Sequence, residues 1–104
     1  MWNIPTKEQL DKIPRRRETE NIPLKDKPIY LHCFIGNCDW FISEYDSEDL
    51  FFGYATLGDQ TFGEWGYISF TELKNIRVPP GIHIDCEFFD PPLKASKIEE
   101  IKIR

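Results

Sequence analysis

Between Pro28 and Ser69 the chain is a succession of short apolar segments cut by turn residues, and this punctuation constrains the fold more than any other feature. In Pro28 to Ile35, Ile29, Leu31, Cys33 and Ile35 alternate with Tyr30, His32 and Phe34, a period of two that fits a strand with large groups on both faces. Gly36-Asn37 supplies a turn. Asp39 to Tyr45 forms the second strand, with Trp40 and Ile42 expected on one face and Phe41 and Tyr45 on the other. Asp46-Ser47-Glu48-Asp49 is the next turn, Leu50 to Leu57 the third strand, Gly58-Asp59 a third turn, and Glu64 to Ser69 the fourth strand. Consecutive strands joined by tight turns make an antiparallel meander.

The flanks predict short helices. Thr6 caps a first one, Gln9 takes the reciprocal position, Leu10 and Ile13 share a face, and Pro14 stops it. Arg15 to Lys27 is polar, contains Pro23 and reads as a surface loop. Ser69 with Glu72 makes a capping box for a helix through Ile76, broken by Pro79-Pro80-Gly81. Ile82 to Phe88 is expected to return as a fifth strand. After Pro91-Pro92, Ile98 and Ile101 recur at helical spacing. Because several strands are apolar on both faces, the terminal segments are expected to pack over the sheet. The fold class is α+β: an antiparallel meander of four to five strands with short helices at the N-terminus, after strand four and at the C-terminus, in a single domain over residues 1–104.

Charge sharpens the functional reading. Thirteen Lys plus Arg against 18 Asp plus Glu give a net charge of −5, which argues against general nucleic-acid binding through phosphates. The negative charge is concentrated: Gly36 to Leu73 holds Asp39, Glu44, Asp46, Glu48, Asp49, Asp59, Glu64 and Glu72 and no base. Both flanks carry bases, with Arg15-Arg16-Arg17 the one basic cluster, read as a solvated loop or an anchor for an acidic partner. An apolar content of 40% supports a core and excludes disorder. No apolar run approaches a membrane span, and Met1-Trp2-Asn3-Ile4-Pro5 has neither the basic nor the apolar region of a signal peptide. Three cysteines, an odd number, fit a reducing compartment, so the expectation is a cytoplasmic monomer.

Four constellations carry potential chemistry. Glu44, Asp46, Glu48 and Asp49 surround one turn, and four carboxylates are the oxygen donors a Ca²⁺ or Mg²⁺ takes, although their spacing matches no EF-hand loop; the competing reading is an ordinary solvated turn. Glu44, inside a strand on the expected side of Trp40 and Ile42, would be partly buried and want a partner. Cys33, Cys38, Cys86, His32 and His83 invite a zinc reading at loose spacing, against which Cys33 alternates as a small core residue. Ser69, Ser43 and the cysteines are candidate nucleophiles with His32 or His83 as base, but there is no Gly-x-Ser-x-Gly elbow and Ser69 is explained by capping. Gly58, Gly63 and Gly66 match neither nucleotide-binding spacing. Trp2, Trp40 and Trp65 read as core or edge residues. A patch of Trp65, Tyr67 or Phe62 with Glu64 would look like a protein interface.

Trp40 to Gly53 (WFISEYDSEDLFFG), Glu64 to Leu73 (EWGYISFTEL) and a late Asp85 with Phe89, Pro91 and Ser96 together resemble the bacterial domain-of-unknown-function family 2958. The resemblance runs from the Ile13-Pro14 helix end to Ser96. It implies a small stand-alone protein of the kind often encoded on mobile elements, with no established activity; no cofactor is expected.

Two functions follow as expectations. The first is a non-enzymatic interaction module whose acidic and aromatic sheet surface, with Glu44, Asp46, Glu48, Asp49, Phe51, Glu64, Trp65 and Tyr67, meets a protein partner with a basic patch. Through the family, charge mimicry of DNA belongs to the same reading. The alternative is a metal-assisted hydrolytic enzyme using Glu44, Asp46, Glu48 and Asp49. A purely structural reading has Glu44 and Asp46 holding the Glu64 to Glu72 region through backbone hydrogen bonds.

Overall fold

The computed structural model describes residues 4–57, 63–78, 81–99 and 101. Thr6 opens helix α1 (Lys7–Lys12) with the expected reciprocal capping box: its hydroxyl accepts from Gln9 N and the Gln9 side chain accepts from Thr6 N. Four strands follow as a meander: β1 (Pro28–Ile35), β2 (Cys38–Tyr45), β3 (Leu50–Leu57) and β4 (Glu64–Ser69). Helix α2 (Phe70–Lys74) ends two residues before Ile76, with Asn75 as its C-cap. Strands β5 (Arg77–Val78) and β6 (Ile82–His83) pair as a separate two-stranded ribbon, and β7 (Asp85–Lys94) closes the main sheet in the order β4-β3-β2-β1-β7. All its pairings are antiparallel. The architecture is α+β. The expected turn at Gly58-Asp59, the break at Pro79-Pro80, and Trp2 and Phe62 lie outside the described residues.

The two sheet faces carry separate apolar clusters. On one, Leu31, Cys33, Ile35, Trp40, Ile42, Tyr45 and Phe51 pack beneath Ile13 at the end of α1, Phe70 and Leu73 of α2, and Ile84. On the other, Ile29, Phe41 and Tyr54 pack beneath Ala95, Ile98 and Ile101. Terminal segments thus cover both faces, and each fully buried large apolar side chain contributes on the order of 1.5–3 kcal/mol. Among the described residues the expected C-terminal helix is represented by a 3₁₀ turn (Ala95–Lys97), tied down by Ala95 N donating to Lys27 O at 2.9 Å.

Three expectations are corrected. The pairing of β2 with β3 shifts register between Ile42 and Glu44, leaving Ser43 as the extra residue of a bulge. A bulge inverts the alternation beyond it, so Tyr45 joins Trp40 and Ile42 in one cluster, while Glu44 falls on the face of Phe41, opposite to the expected side. A second shift, between Ile29 and Leu31 where β1 pairs β7, accompanies it, and Ile29 joins the cluster opposite to Leu31. Ser43 Oγ donates to Pro28 O at 2.8 Å across the two irregularities. Finally, the fifth strand is not Ile82 to Phe88. Its ten residues begin at Asp85 and run through Pro91 and Pro92, which a sheet tolerates because β7 is an edge.

Gly53 fits the first bulge closely. A Cβ at this position would lie 1.9 Å from the Phe41 carbonyl oxygen, so no larger residue lets β3 approach β2 here.

Candidate functional site

Placing Glu44 on the Phe41 face aims it at the Arg15 to Lys27 segment, which folds over it. Glu44 is 4% exposed. Its Oε1 accepts from Arg17 N at 2.8 Å, and its Oε2 accepts from Thr19 N at 3.0 Å and from the Thr19 hydroxyl. Arg17 adopts φ 70° to present its amide. Lys27, equally buried, donates from Nζ to Thr19 O at 2.6 Å and to Thr19 Oγ1 at 2.8 Å, and stands 4.0 Å from Glu44 Oε2. Thr19 therefore bridges a buried ion pair whose direct contact is long. Burial lowers the Lys27 ammonium below its usual range, while Glu44 and then Glu20 pull in the opposite sense. A cavity of about 240 Å³ lies between this loop and the rings of Phe52 and Tyr67, with Lys27 and Glu44 in its lining. Lys27 Nζ sits 5.5 Å from the Phe52 ring centre and the Arg16 guanidinium 5.2 Å from that of Tyr67. Arg16 and Arg17 thereby come beside the aromatic face, a juxtaposition absent from the linear charge map, while Arg15 turns to Ile13 O and Asp11 at the end of α1.

The remaining carboxylates of the string are also engaged with the protein. Asp46 Oδ1 accepts from Glu48 N, Asp49 N and Leu50 N at 2.8–2.9 Å, closing its own turn around Ser47 at φ 71°. Desolvation opposes ionisation of Asp46, but the three amides outweigh it and hold the carboxyl below its usual value. Asp49 reaches across to the start of α2. Its Oδ2 accepts from Ser69 Oγ at 2.6 Å and its Oδ1 from Thr71 N at 2.7 Å and Thr71 Oγ1 at 2.6 Å. Ser69 and then Thr71 lower the Asp49 carboxyl likewise. Ser69 Oγ in turn accepts from Glu72 N at 3.2 Å. Asp49, not Glu44 or Asp46, anchors the Ser69 region; Glu44 anchors the Arg15 to Lys27 loop instead. Glu48 faces solvent.

The string thus diverges from its turn rather than converging on a point. Among the described residues no three of His, Cys, Asp and Glu come together in a way that could hold a metal ion. Of the zinc candidates, Cys33 and Cys86 face each other across β1 and β7, Cys38 lies opposite Leu57, and His83 sits opposite Arg77 in the small ribbon. His32 stacks on Phe41 at 4.4 Å and is held by Glu87 (2.8 Å) and Asp39 (2.7 Å). That carboxylate–imidazole–carboxylate row crosses β7, β1 and β2, and neither serine belongs to it. Ser43 and Ser69 have their hydroxyls in the structural bonds described above.

Two residues leave the candidate surface. Glu44 is buried, and Phe51, at 0% exposure, lies in the core beside Tyr45 and Phe70. Of the others, Asp46, Glu48 and Asp49 stay at the β2–β3 turn, and Glu64, Trp65 and Tyr67 lie on the edge strand β4. Trp65 and Tyr67 share a face with Phe52 and Tyr54, their ring centres 5.3–6.0 Å apart along the chain of neighbours. Tyr67 is 52% exposed. Glu64 and Ile68, by alternation, take the opposite face. Thr19 and Lys27, which complete the buried cluster, were not singled out from the sequence; the only signal for them was a strand Glu in want of a partner.

These features define a small α+β protein built on a bulged five-stranded antiparallel sheet with a looped-over carboxylate. A family model described as "Protein of unknown function (DUF2958)" matches residues 5–98, and the chain belongs to that family. Neither a curated protein nor a solved structure matches it. Among the described residues no helix is long and apolar enough to cross a membrane.

Proposed function

We propose that the protein is a non-enzymatic interaction module, acting in the cytoplasm, that takes an extended segment of a partner protein along the outer edge of β4, where no strand pairs among the described residues. The observation that carries this reading is the contrast between the two edges of the sheet. Strand β7 holds Pro91, Pro92 and Lys94, devices that blunt an edge against further pairing. Strand β4 has no proline and no lysine, and Glu64 is its one charged residue. A strand added there would set alternate side chains on the two faces, apolar ones against Trp65 and Tyr67 and basic ones near Glu64. Aromatic groups supply the anchoring energy of such contacts, and the carboxylates supply orientation and steering.

The test is to isolate the partner from the native host by co-purification, map its bound segment, and titrate that segment at several salt concentrations. Tyr67→Ala and Glu64→Lys, verified to be as stable as the wild type, should each weaken binding, and affinity should fall as salt rises. A partner whose affinity is indifferent to both substitutions, or to molar salt, would sink the reading.

A further inference from the structure

Cys33 and Cys86 are direct partners in the β1–β7 pairing, so their backbones lie within the separation a disulfide spans. Their sulfurs are 2.7 Å apart, both are free thiols, and both are buried. A bond needs only a further approach of well under 1 Å to reach the usual S–S length of about 2.05 Å. Cys38 is differently placed. It pairs with Ile35, two positions along β1 from Cys33, and such diagonal neighbours stand about 7–8 Å apart. A disulfide to Cys38 would require the backbone to move.

Access is also unequal. A cleft of about 360 Å³ between the N-terminal segment at Pro5 and Thr6, Gln9 of α1, and Phe88 of β7 has Cys86 in its lining, whereas Cys33 is not part of it. Cys33 is 0% exposed. Its thiol is pushed well above its usual value, by the contact with Cys86 first and by burial second. These observations give the two sulfurs different roles.

We propose that Cys33 and Cys86 are a redox modification site, oxidised to an intramolecular disulfide by a small disulfide of the glutathione type, with Cys86 as the attacking sulfur and Cys33 as the resolving one. In the first step the Cys86 thiol loses its proton and attacks one sulfur of the small disulfide. A Cys86–S–S–R bond forms, the small S–S bond breaks, and the departing thiolate takes up a proton. In the second step Cys33 loses its proton and attacks the Cys86 sulfur. The Cys33–Cys86 bond forms and the second small thiol leaves, again protonated. The protein dithiol loses two hydrogens and two electrons, and one small disulfide becomes two thiols. The product staples the β7 edge to β1 and closes a loop that contains β2, β3 and β4.

The full chain, reduced and freed of reductant, is incubated folded with glutathione disulfide, quenched with acid over time, and followed by intact mass and peptide mapping. The expected end state has lost the mass of two hydrogens, carries a Cys33–Cys86 bond and keeps Cys38 titratable. The early intermediate should carry the glutathionyl group on Cys86, and the oxidised protein should unfold at higher denaturant than the reduced one. Cys38→Ser should behave as the wild type, and Cys33→Ser should stop at the Cys86 adduct. Should Cys33→Ser fail to fold, the wild-type intermediate decides the order of attack by itself. Three free thiols at equilibrium, a bond that includes Cys38, a first adduct on Cys33, or arrest of the wild type at a mixed disulfide would each overturn the proposal.

Discussion

Replacing Glu44 is the most direct challenge to the idea that its carboxylate is an anchor for the Arg15 to Lys27 loop. The side chain accepts three protein hydrogen bonds, from Arg17 N, Thr19 N and the Thr19 hydroxyl, and faces the buried Lys27 ammonium. Hydrogen bonds to a charged group are each worth about 1.5–3 kcal/mol, but three bonds on one carboxylate do not add independently. Removing one partner of a buried ion pair costs about 3–5 kcal/mol, because the other charge stays buried. The expected loss for Glu44→Ala is therefore about 3–5 kcal/mol, a large share of the roughly 5–15 kcal/mol that holds a small domain together. Glu44→Gln is milder. Its single carbonyl oxygen serves one side of the loop while the amide group turns a donor toward the other, so about 2 kcal/mol is expected. For a domain near 100 residues that corresponds to a fall in melting temperature of roughly 8–16 °C. Urea unfolding measures the global loss. Amide hydrogen exchange in folded Glu44→Gln measures the local one, and the Arg17 and Thr19 amides should exchange faster while those of β3 hardly change. If Glu44→Ala cost less than about 1 kcal/mol, or if exchange at Arg17 and Thr19 were unaltered in Glu44→Gln, the loop would not depend on this carboxylate.

Gly53→Ala should cost at least about 2 kcal/mol by overpacking, since its Cβ would press on the Phe41 carbonyl, whereas a Cβ at Gly66 meets nothing within 4 Å and Gly66→Ala should stay within about 0.5 kcal/mol; chemical denaturation of the pair tests the bulge, and the reverse order would refute it. Ser69→Ala should cost about 1 kcal/mol through loss of the α2 cap, and Ser47→Ala less, because its turn is closed by Asp46; equal losses would contradict the cap. Asp46 and Asp49 both have folded-state values below the ordinary 3.8. Their contribution is therefore complete above that value and is lost as pH falls through the lower folded values, so stability should decline progressively as pH falls below about 4. Asp49→Asn should show a shallower decline over that window, and an unchanged slope would count against its role.

The strand limits of β1, β3 and β4 were legible because period-two alternation meets turn residues at both ends of each. Both irregularities escaped notice for a common reason. The bulge at Ser43 is set by the pairing of β2 with β3 and the shift between Ile29 and Leu31 by the pairing of β1 with β7, and nothing at these positions themselves announces either; the nearest local signal is Gly53, whose missing side chain makes room for Phe41 O. Strand β7 was truncated because Pro91-Pro92 reads as a terminator, and only its position at an edge makes prolines admissible. The acidic string was found, but its meaning was not. Whether a carboxylate faces water, a cation or a backbone amide depends on which distant segment lies over it. For Glu44 that segment begins with Arg17, 27 residues earlier in the chain.

The fold also revises how much negative charge a partner would meet. Of the eight acids between Gly36 and Leu73, Glu44, Asp46 and Asp49 direct their oxygens to amides and hydroxyls of the chain, and Asp39 pairs with His32. Among the described residues, Glu48, Glu64 and Glu72 remain exposed and unengaged by those bonds. Steering by the β4 side then rests on few carboxylates, so substitutions within the string should separate into two groups. Asp46→Asn weakens a threefold amide anchor and should lower stability by about 1–2 kcal/mol, with the partner association rate at a temperature well below melting left within about twofold. Glu64→Lys removes no structural bond and should leave stability within about 0.5 kcal/mol, yet it reverses a charge on the proposed docking edge and should slow association severalfold at low salt, with the difference fading near molar salt. Stopped-flow association beside urea unfolding measures both quantities. If Asp46→Asn slowed association as much as Glu64→Lys at equal stability, the string would be part of the interface and its internal bonds would not be its main role.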